Sequence, residues 1–376
     1  MEWNVSKLSP KRPSWLQRYI LPGLAFKAVV IGGGYATGRE LAEFFLPSGP
    51  LGGLLAMLVA TMVWSVICAL TFSYAQRYQL TDYRAFFGKL LGRAWVLFEL
   101  TYFALVLLML SVFAAASGAI GQALFGWPSV AGAGLLLVAI AAFVAIGLSA
   151  VEPLFKYVSV LLYGTYAGFL MLSLWKFGPA ISRNLQAHDI GPSWLAGGIT
   201  YAGYNVVAAV IVLPVLRHLH SQRDALVAGI IAGPLAMAPG LFFFLSMIAW
   251  YPMVGQSTLP SDFLLIRIGV PSMRLLFQAM IFLALLESGV GAVFAVMQRV
   301  RHALLERTGR DPNPWLRGMI TLLVLFVAVF AAQGVGLIDL IAKGYRLISW
   351  MLIAVFVVPI LLVSMRRLGF IHENAS

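Results

Sequence analysis

One cysteine, Cys68, is all that the 376-residue chain contains. No disulfide framework can form from it, and no cysteine-based metal site can be built. Charge is also scarce, at 11% of residues against about 25% in an average soluble domain. The five histidines (His188, His218, His220, His302 and His372) fall in loops, tails or helix ends. No D-D-x-x-D cluster or nucleotide-binding module accompanies them. A metal site, a resident cofactor, a membrane-embedded enzyme and an ATP-driven pump are therefore not expected. The polar, basic start MEWNVSKLSPKRPSWLQR leads to no small-residue cleavage site, so no cleaved leader is expected.

What the chain has instead is apolar surface: 61% of residues are hydrophobic and the mean hydropathy is +0.91. A globular core cannot hide this much, and the natural solvent is a lipid bilayer. Proline, glycine and charge clusters divide the sequence into ten segments near 19–46, 50–76, 94–124, 129–150, 152–177, 194–217, 223–251, 270–303, 315–333 and 336–366. Each is long enough to cross the hydrocarbon as a helix of about 20 residues. The expected fold class is thus an all-α integral membrane protein. A segment 1–18 precedes the first five helices (19–177), and a tail 367–376 follows the second five (194–366).

Lysine and arginine orient the spans. Lys7, Lys11, Arg12, Arg18, Arg77, Arg84, Lys89 and Arg93 share one side with the cations of the later even loops and of the tail. Only Lys176, Arg183, Arg267 and Arg274 fall on the other side. The positive-inside rule then puts both termini in the cytoplasm, and a bacterial inner (plasma) membrane is the expected location. The net charge of +12 reads as this topology signal rather than as a nucleic-acid footprint, because the cations are scattered over short loops.

In VVIGGGYATGRE, residues 29–40, three glycines interrupt the first span about 20 Å along a helix counted from Tyr19 at roughly 1.5 Å per residue. A dinucleotide fingerprint is excluded. Position 37 is Thr, and the downstream acid is missing from LGGLLAMLVATMVW. A second irregularity, ITYAGYNVVAAV in the sixth span, places Gly203 and Asn205 between apolar residues. Broken helices at mid-membrane must be buried in protein or line a polar cavity, although glycines also serve close helix packing. Breaks in spans one and six, five spans apart, predict an inverted 5+5 repeat with its binding site between them.

GGGYATGRE resembles the first-helix G-x-G-F-A-S-G-Q-E motif of the YkvI-type membrane proteins, an amino-acid-permease-like group of the amino acid–polyamine–organocation (APC) superfamily. FAAASGAIGQALFGWP in the third span and YAGYNVVAAVIVLPVL with Gly229 and Gly233 downstream agree with it. The resemblance implies a LeuT-type fold holding a small amino-acid-like solute between helices one and six. The chain departs from the group in having Arg39 where Gln is usual, and Glu287 and Ser288 where helix eight carries small hydroxyl residues.

The expected substrate site comprises Gly32, Gly33, Gly34, Tyr35, Ala36, Thr37 and Gly38, whose free N–H groups would cradle a carboxylate, with Tyr201, Ala202, Tyr204 and Asn205. A simple kink satisfied by neighbouring groups is the competing explanation. Glu287 near mid-depth, with Lys27 and Ser288, forms the expected ion- or proton-coupling group, H+ being favoured over Na+. A permanent Lys27–Glu287 pair is the alternative. Arg39 with Asp339 is the expected gate, unless Asp339 bridges only to Lys343 in its own helix. Glu40 and Glu43 are placed near the outer surface without special role, and Glu99 and Glu152 at the interface. The expected function is a secondary active transporter working by alternating access. A solute sensor on the same scaffold is the alternative, and only net flux separates the two. The expected partners are the bilayer and a small solute, with no nucleic acid; the sequence gives no oligomeric state.

Overall fold

The computed structural model describes residues 14–31, 35, 37–146, 148–186, 190–309, 311 and 313–367. All regular structure among them is helical. In chain order the helices are α1 (Leu21–Val30), α2 (Arg39–Phe44), α3 (Gly49–Tyr78), α4 (Tyr83–Leu91), α5 (Trp95–Phe125), α6 (Ser129–Ile146) and α7 (Leu148–Gln186). They continue with α8 (Trp194–Asn205), α9 (Ala208–Ile211), α10 (Gln222–Ile248), α11 (Pro260–Ile268), α12 (Pro271–Thr308) and α13 (Pro314–Val335). A last helical segment, α14 (Leu337–Arg366), contains two π-helical turns.

Local sequence sets the ends. Asp82 and Ser221 accept the first free N–H groups of α4 and α10, from Ala85 and Asp224. Pro50, Pro260 and Pro271 occupy first turns, where a missing N–H costs nothing. Gly126, Gly269 and Gly309 close helices in the left-handed conformation.

Among the described residues, eight helical segments are long and apolar enough to cross a membrane. One of them, Arg39–Tyr78, joins α2 to α3 through a single 3₁₀ turn at Leu46–Ser48. Large apolar side chains cover the outside, among them Trp175 at 83% and Phe330 at 75% exposure. Such a surface would aggregate in water and is suited to lipid.

The interior is aromatic: Phe26, Phe45, Trp64, Phe113, Tyr201 and Phe243 are fully buried. α3 and α10 make the most extensive helix pair. Gly229 and Gly233 allow it, because a Cβ at either would collide with the α3 backbone around Cys68 and Ala69 or around Thr61 and Ser65. At the end of the bundle that carries the chain's start, Arg18 grips Asp224 through both nitrogens of its fork (2.7–3.1 Å) and the Tyr19 hydroxyl donates to the same carboxylate (2.9 Å). α1 is thereby tied to the first turn of α10.

Candidate functional site

The first span does not run through as one helix. α1 stops at Val30, Ile31 leaves helical geometry with φ −79° and ψ 65°, and α2 begins at Arg39. Gly38, just before it, has φ 76°, a conformation that side chains strain, and a Cβ there would press on the Phe243 ring. Of the expected cradle, Gly32, Gly33, Gly34 and Ala36 lie outside the described residues. The N–H of Gly38 donates to the Tyr35 carbonyl (3.0 Å) and that of Arg39 to the Thr37 hydroxyl (3.3 Å). The Thr37 carbonyl accepts from Ser261 N–H (3.0 Å). These groups are occupied within the fold.

The sixth span is pinched rather than broken. α8 is helical through Gly203 to Asn205, and Val206 and Val207 keep right-handed dihedrals. The ladder tightens there to three-residue steps, Ala209 N–H to the Val206 carbonyl and Val210 N–H to the Val207 carbonyl, both 3.0 Å. The irregularity thus falls after Asn205 and not at Gly203. Gly203 serves packing, since a Cβ there would collide with Ser349 of α14. The Ala202 carbonyl accepts from Val206 N–H (3.0 Å) and from the Trp64 indole (3.3 Å).

Between the α1 break, α5, α7, α8, α9, α12 and α14 lies a cavity of about 440 Å³. Its walls are largely apolar, from Val29, Leu105, Phe113, Leu162, Ala208 and Ala292. The polar groups on it are Glu40, Tyr102, Tyr163, Tyr204, Asn205, Glu287, Ser288 and Tyr345. Of the substrate-site residues expected from sequence, Tyr204 and Asn205 reach this wall, as do Glu287 and Ser288 of the coupling set. Tyr35, Thr37 and Tyr201 are buried but do not line it. Tyr201 packs on Phe45 (centroids 4.7 Å) and Trp64 (5.5 Å). Its carbonyl accepts the Asn205 amide (3.0 Å).

Glu40 is the residue that sequence reasoning missed. It is 5% exposed, and the Tyr204 hydroxyl donates to its Oε2 at 2.6 Å. Tyr204 in turn stacks on Tyr345, with centroids 4.4 Å apart and ring planes 11° apart. The outer-surface placement of Glu40 assumed a uniform rise along the first span. The chain leaves helical geometry at Ile31 and turns left-handed at Gly38, so the count of depth does not carry across the break. The usable signal was an acid immediately after that break.

The Lys27–Glu287 pair is not formed. Lys27 Nζ sits over the Tyr163 ring at 4.5 Å, behind the cavity wall, and Glu287 makes no ion pair among the described residues. An isolated carboxylate at bilayer depth costs about 2.5–3.5 kcal/mol or more, and this cavity carries two carboxylates without a described cation.

The gate expected between Arg39 and Asp339 is also not formed. Arg39, 4% exposed, donates to Glu43 (2.9 Å) and to the carbonyls of Gly255 (2.7 Å) and Ser257 (3.0 Å). Asp339 pairs with Lys343 at 3.2 Å on an exposed face of α14. A residue one turn along its own helix is within reach of each, and the distant partner is not. Among the described residues no group of three or more His, Cys, Asp or Glu side chains could hold a metal ion.

No family model matches the chain. It is 25% identical over 299 residues to the protein of Bacillus subtilis (strain 168) described as "Uncharacterized membrane protein YkvI", covering 75% of this chain and 81% of that one. Its structure resembles MhsT in complex with L-phenylalanine, with a TM-score of 0.52 and 16% identity over 94% of this chain and 88% of that one. It also resembles a Na+-coupled sialic acid symporter in a substrate-bound outward-open state, with a TM-score of 0.52 and 13% identity over 94% of this chain and 92% of that one. The chain is a multi-helix membrane protein similar to YkvI, and its fold is that of LeuT-type transporters.

Proposed function

We propose that this protein is a secondary active transporter of a small, polar, amino-acid-like solute, working by alternating access around the cavity beside the first-span break. The observation that carries the reading is the cavity itself: one buried and one half-buried carboxylate, a tyrosine pair and an amide gathered in an apolar bundle, next to a discontinuous helix. That the structural neighbours include a complex with L-phenylalanine and a sialic acid symporter supports a small polar cargo.

In this reading α1 with α2, α3, α5, α6 and α7 form one five-helix half, and α8 with α9, α10, α12, α13 and α14 form the other. An inverted repeat is supported by the packing. The α1–α10 contact has its counterpart in α8–α3, and α5–α13 in α12–α6. A short helix follows the second crossing of each half, α4 in one and α11 in the other. Both termini lie in the cytoplasm by the distribution of lysine and arginine, in a bacterial inner membrane.

Glu287 is the coupling group of this mechanism, with Ser288 beside it and Lys27 behind Tyr163. It takes a proton from one side and releases it to the other as the cavity alternates. The test is uptake into liposomes of purified protein under an imposed proton gradient, with sodium present or absent. Proton-driven uptake that Glu287→Gln makes independent of the gradient is expected. Uptake that follows sodium alone, or proton coupling unchanged in Glu287→Gln, would remove Glu287 from this role. Solute binding with no flux under any gradient would turn the reading into that of a sensor.

A further inference from the structure

The described carboxylates divide sharply by location. Glu43, Glu99, Asp224, Asp262, Asp311 and Asp339 each lie within 3.2 Å of a basic side chain, and Asp82 caps a helix. Among the described residues Glu40 and Glu287 have no cation within salt-bridge distance, and both line the same cavity. Among the described residues no lysine or arginine shares that wall with them. Two cations stand behind aromatic rings of the wall: Lys27 over Tyr163 at 4.5 Å, and Arg299 over Tyr102 at 3.6 Å, where Arg299 already pairs with Glu99 at 2.9 Å; Arg39, next to Glu40 in the chain, is turned to Glu43. The lining is therefore acidic and aromatic, the combination that holds an ammonium by charge and by ring face.

Glu40 is suited to that task. One oxygen accepts from Tyr204, whose ring is braced on Tyr345, so the carboxylate is oriented before anything binds. Its other oxygen receives no hydrogen bond among the described residues. Among the described residues a cargo carboxylate finds no equivalent partner: no basic group of theirs lines the cavity, and the N–H groups of Gly38 and Arg39 are already used. Resting on the transporter reading of the cavity, we infer that its cargo is an organic amine of net positive charge, its ammonium held by Glu40 beside the Tyr204–Tyr345 pair, rather than a zwitterion. A zwitterion would neutralise Glu40 and bring a third carboxylate, beside Glu287, into a pocket where no described residue receives it.

The experiment compares matched pairs that differ only in the carboxylate: isopentylamine with L-leucine, tyramine with L-tyrosine and agmatine with L-arginine. Binding to the purified full-length protein is measured by calorimetry or thermal shift. In at least one pair the amine is expected to bind roughly 30-fold or more tightly than its amino acid, a preference that Glu40→Gln removes. Amino acids that bind as well as their amines, no binding by any amine, or amine binding unchanged in Glu40→Gln would each overturn the inference. If Glu40→Gln fails to fold, the pair ratio in the unaltered protein decides, with Tyr204→Phe expected to weaken the amine selectively. Flux separates the two claims. Transport of a zwitterion in preference to its amine sinks the amine assignment and leaves the transporter. Amine binding that depends on Glu40, with no liposome flux, sinks the transporter and leaves the amine site.

Discussion

Asp262 and Glu40 are both buried carboxylates, yet they are served in opposite ways. Asp262, at the start of α11, is surrounded: Arg274 donates to both its oxygens (2.7 and 2.9 Å) and Gln278 donates to one of them (3.0 Å). Glu40, beside the cavity, has one tyrosine hydroxyl. Asp224, under Arg18, belongs with the first, and Glu287 with the second. Carboxylates that hold the fold together come with their cations built in. Those left without one are charges that the folded protein alone does not satisfy, and something that visits must do so.

The comparison breaks most visibly in transport. Glu40→Gln is expected to lower uptake by roughly 100-fold, on the order of removing one partner of a desolvated charge pair; liposome flux checks this. Next in size, Asp262→Asn should cost about 2–4 kcal/mol of stability by stranding Arg274, read as a lowered melting temperature in detergent. Tyr204→Phe removes the brace on Glu40 and should weaken solute binding by roughly 10-fold, on the order of one hydrogen bond to a charged group, while the fold stays intact. Asp339→Asn, which touches only an exposed pair with Lys343, should change stability by less than about 0.5 kcal/mol and leave flux unaltered. A large effect there would restore α14 to the mechanism.

The membrane class and the helical fold were legible because they rest on composition and on long apolar runs, which depend on no particular contact. The sequence pointed to a discontinuity in the first span at Gly32, Gly33 and Gly34, which lie outside the described residues; the described departures from helix flank them, at Ile31 and at the left-handed Gly38. The sixth span was less so. Gly203 signals a weak helix and close packing equally well, and here it packs on Ser349. Arg39 and Glu40 exchanged the importance that sequence gave them. Pairing preference between distant spans has no local signal, whereas Arg39 had Glu43 one turn away and two loop carbonyls opposite. The depth of Glu40 depended on the path of the chain across the break, which residue counting cannot follow. Tyr102, Tyr163 and Tyr345 were invisible as wall residues for a related reason: a tyrosine in an apolar helix reads as packing until its neighbours are known.

The most direct test needs no knowledge of the cargo: the melting temperature of solute-free Glu40→Gln against the unaltered protein, with Asp262→Asn in parallel. The account predicts that Glu40→Gln melts at the same temperature or higher, because the amide oxygen still accepts from Tyr204 and an unpaired buried charge is gone. A fall as large as that of Asp262→Asn would contradict it, making Glu40 a structural carboxylate and the cavity an incidental gap.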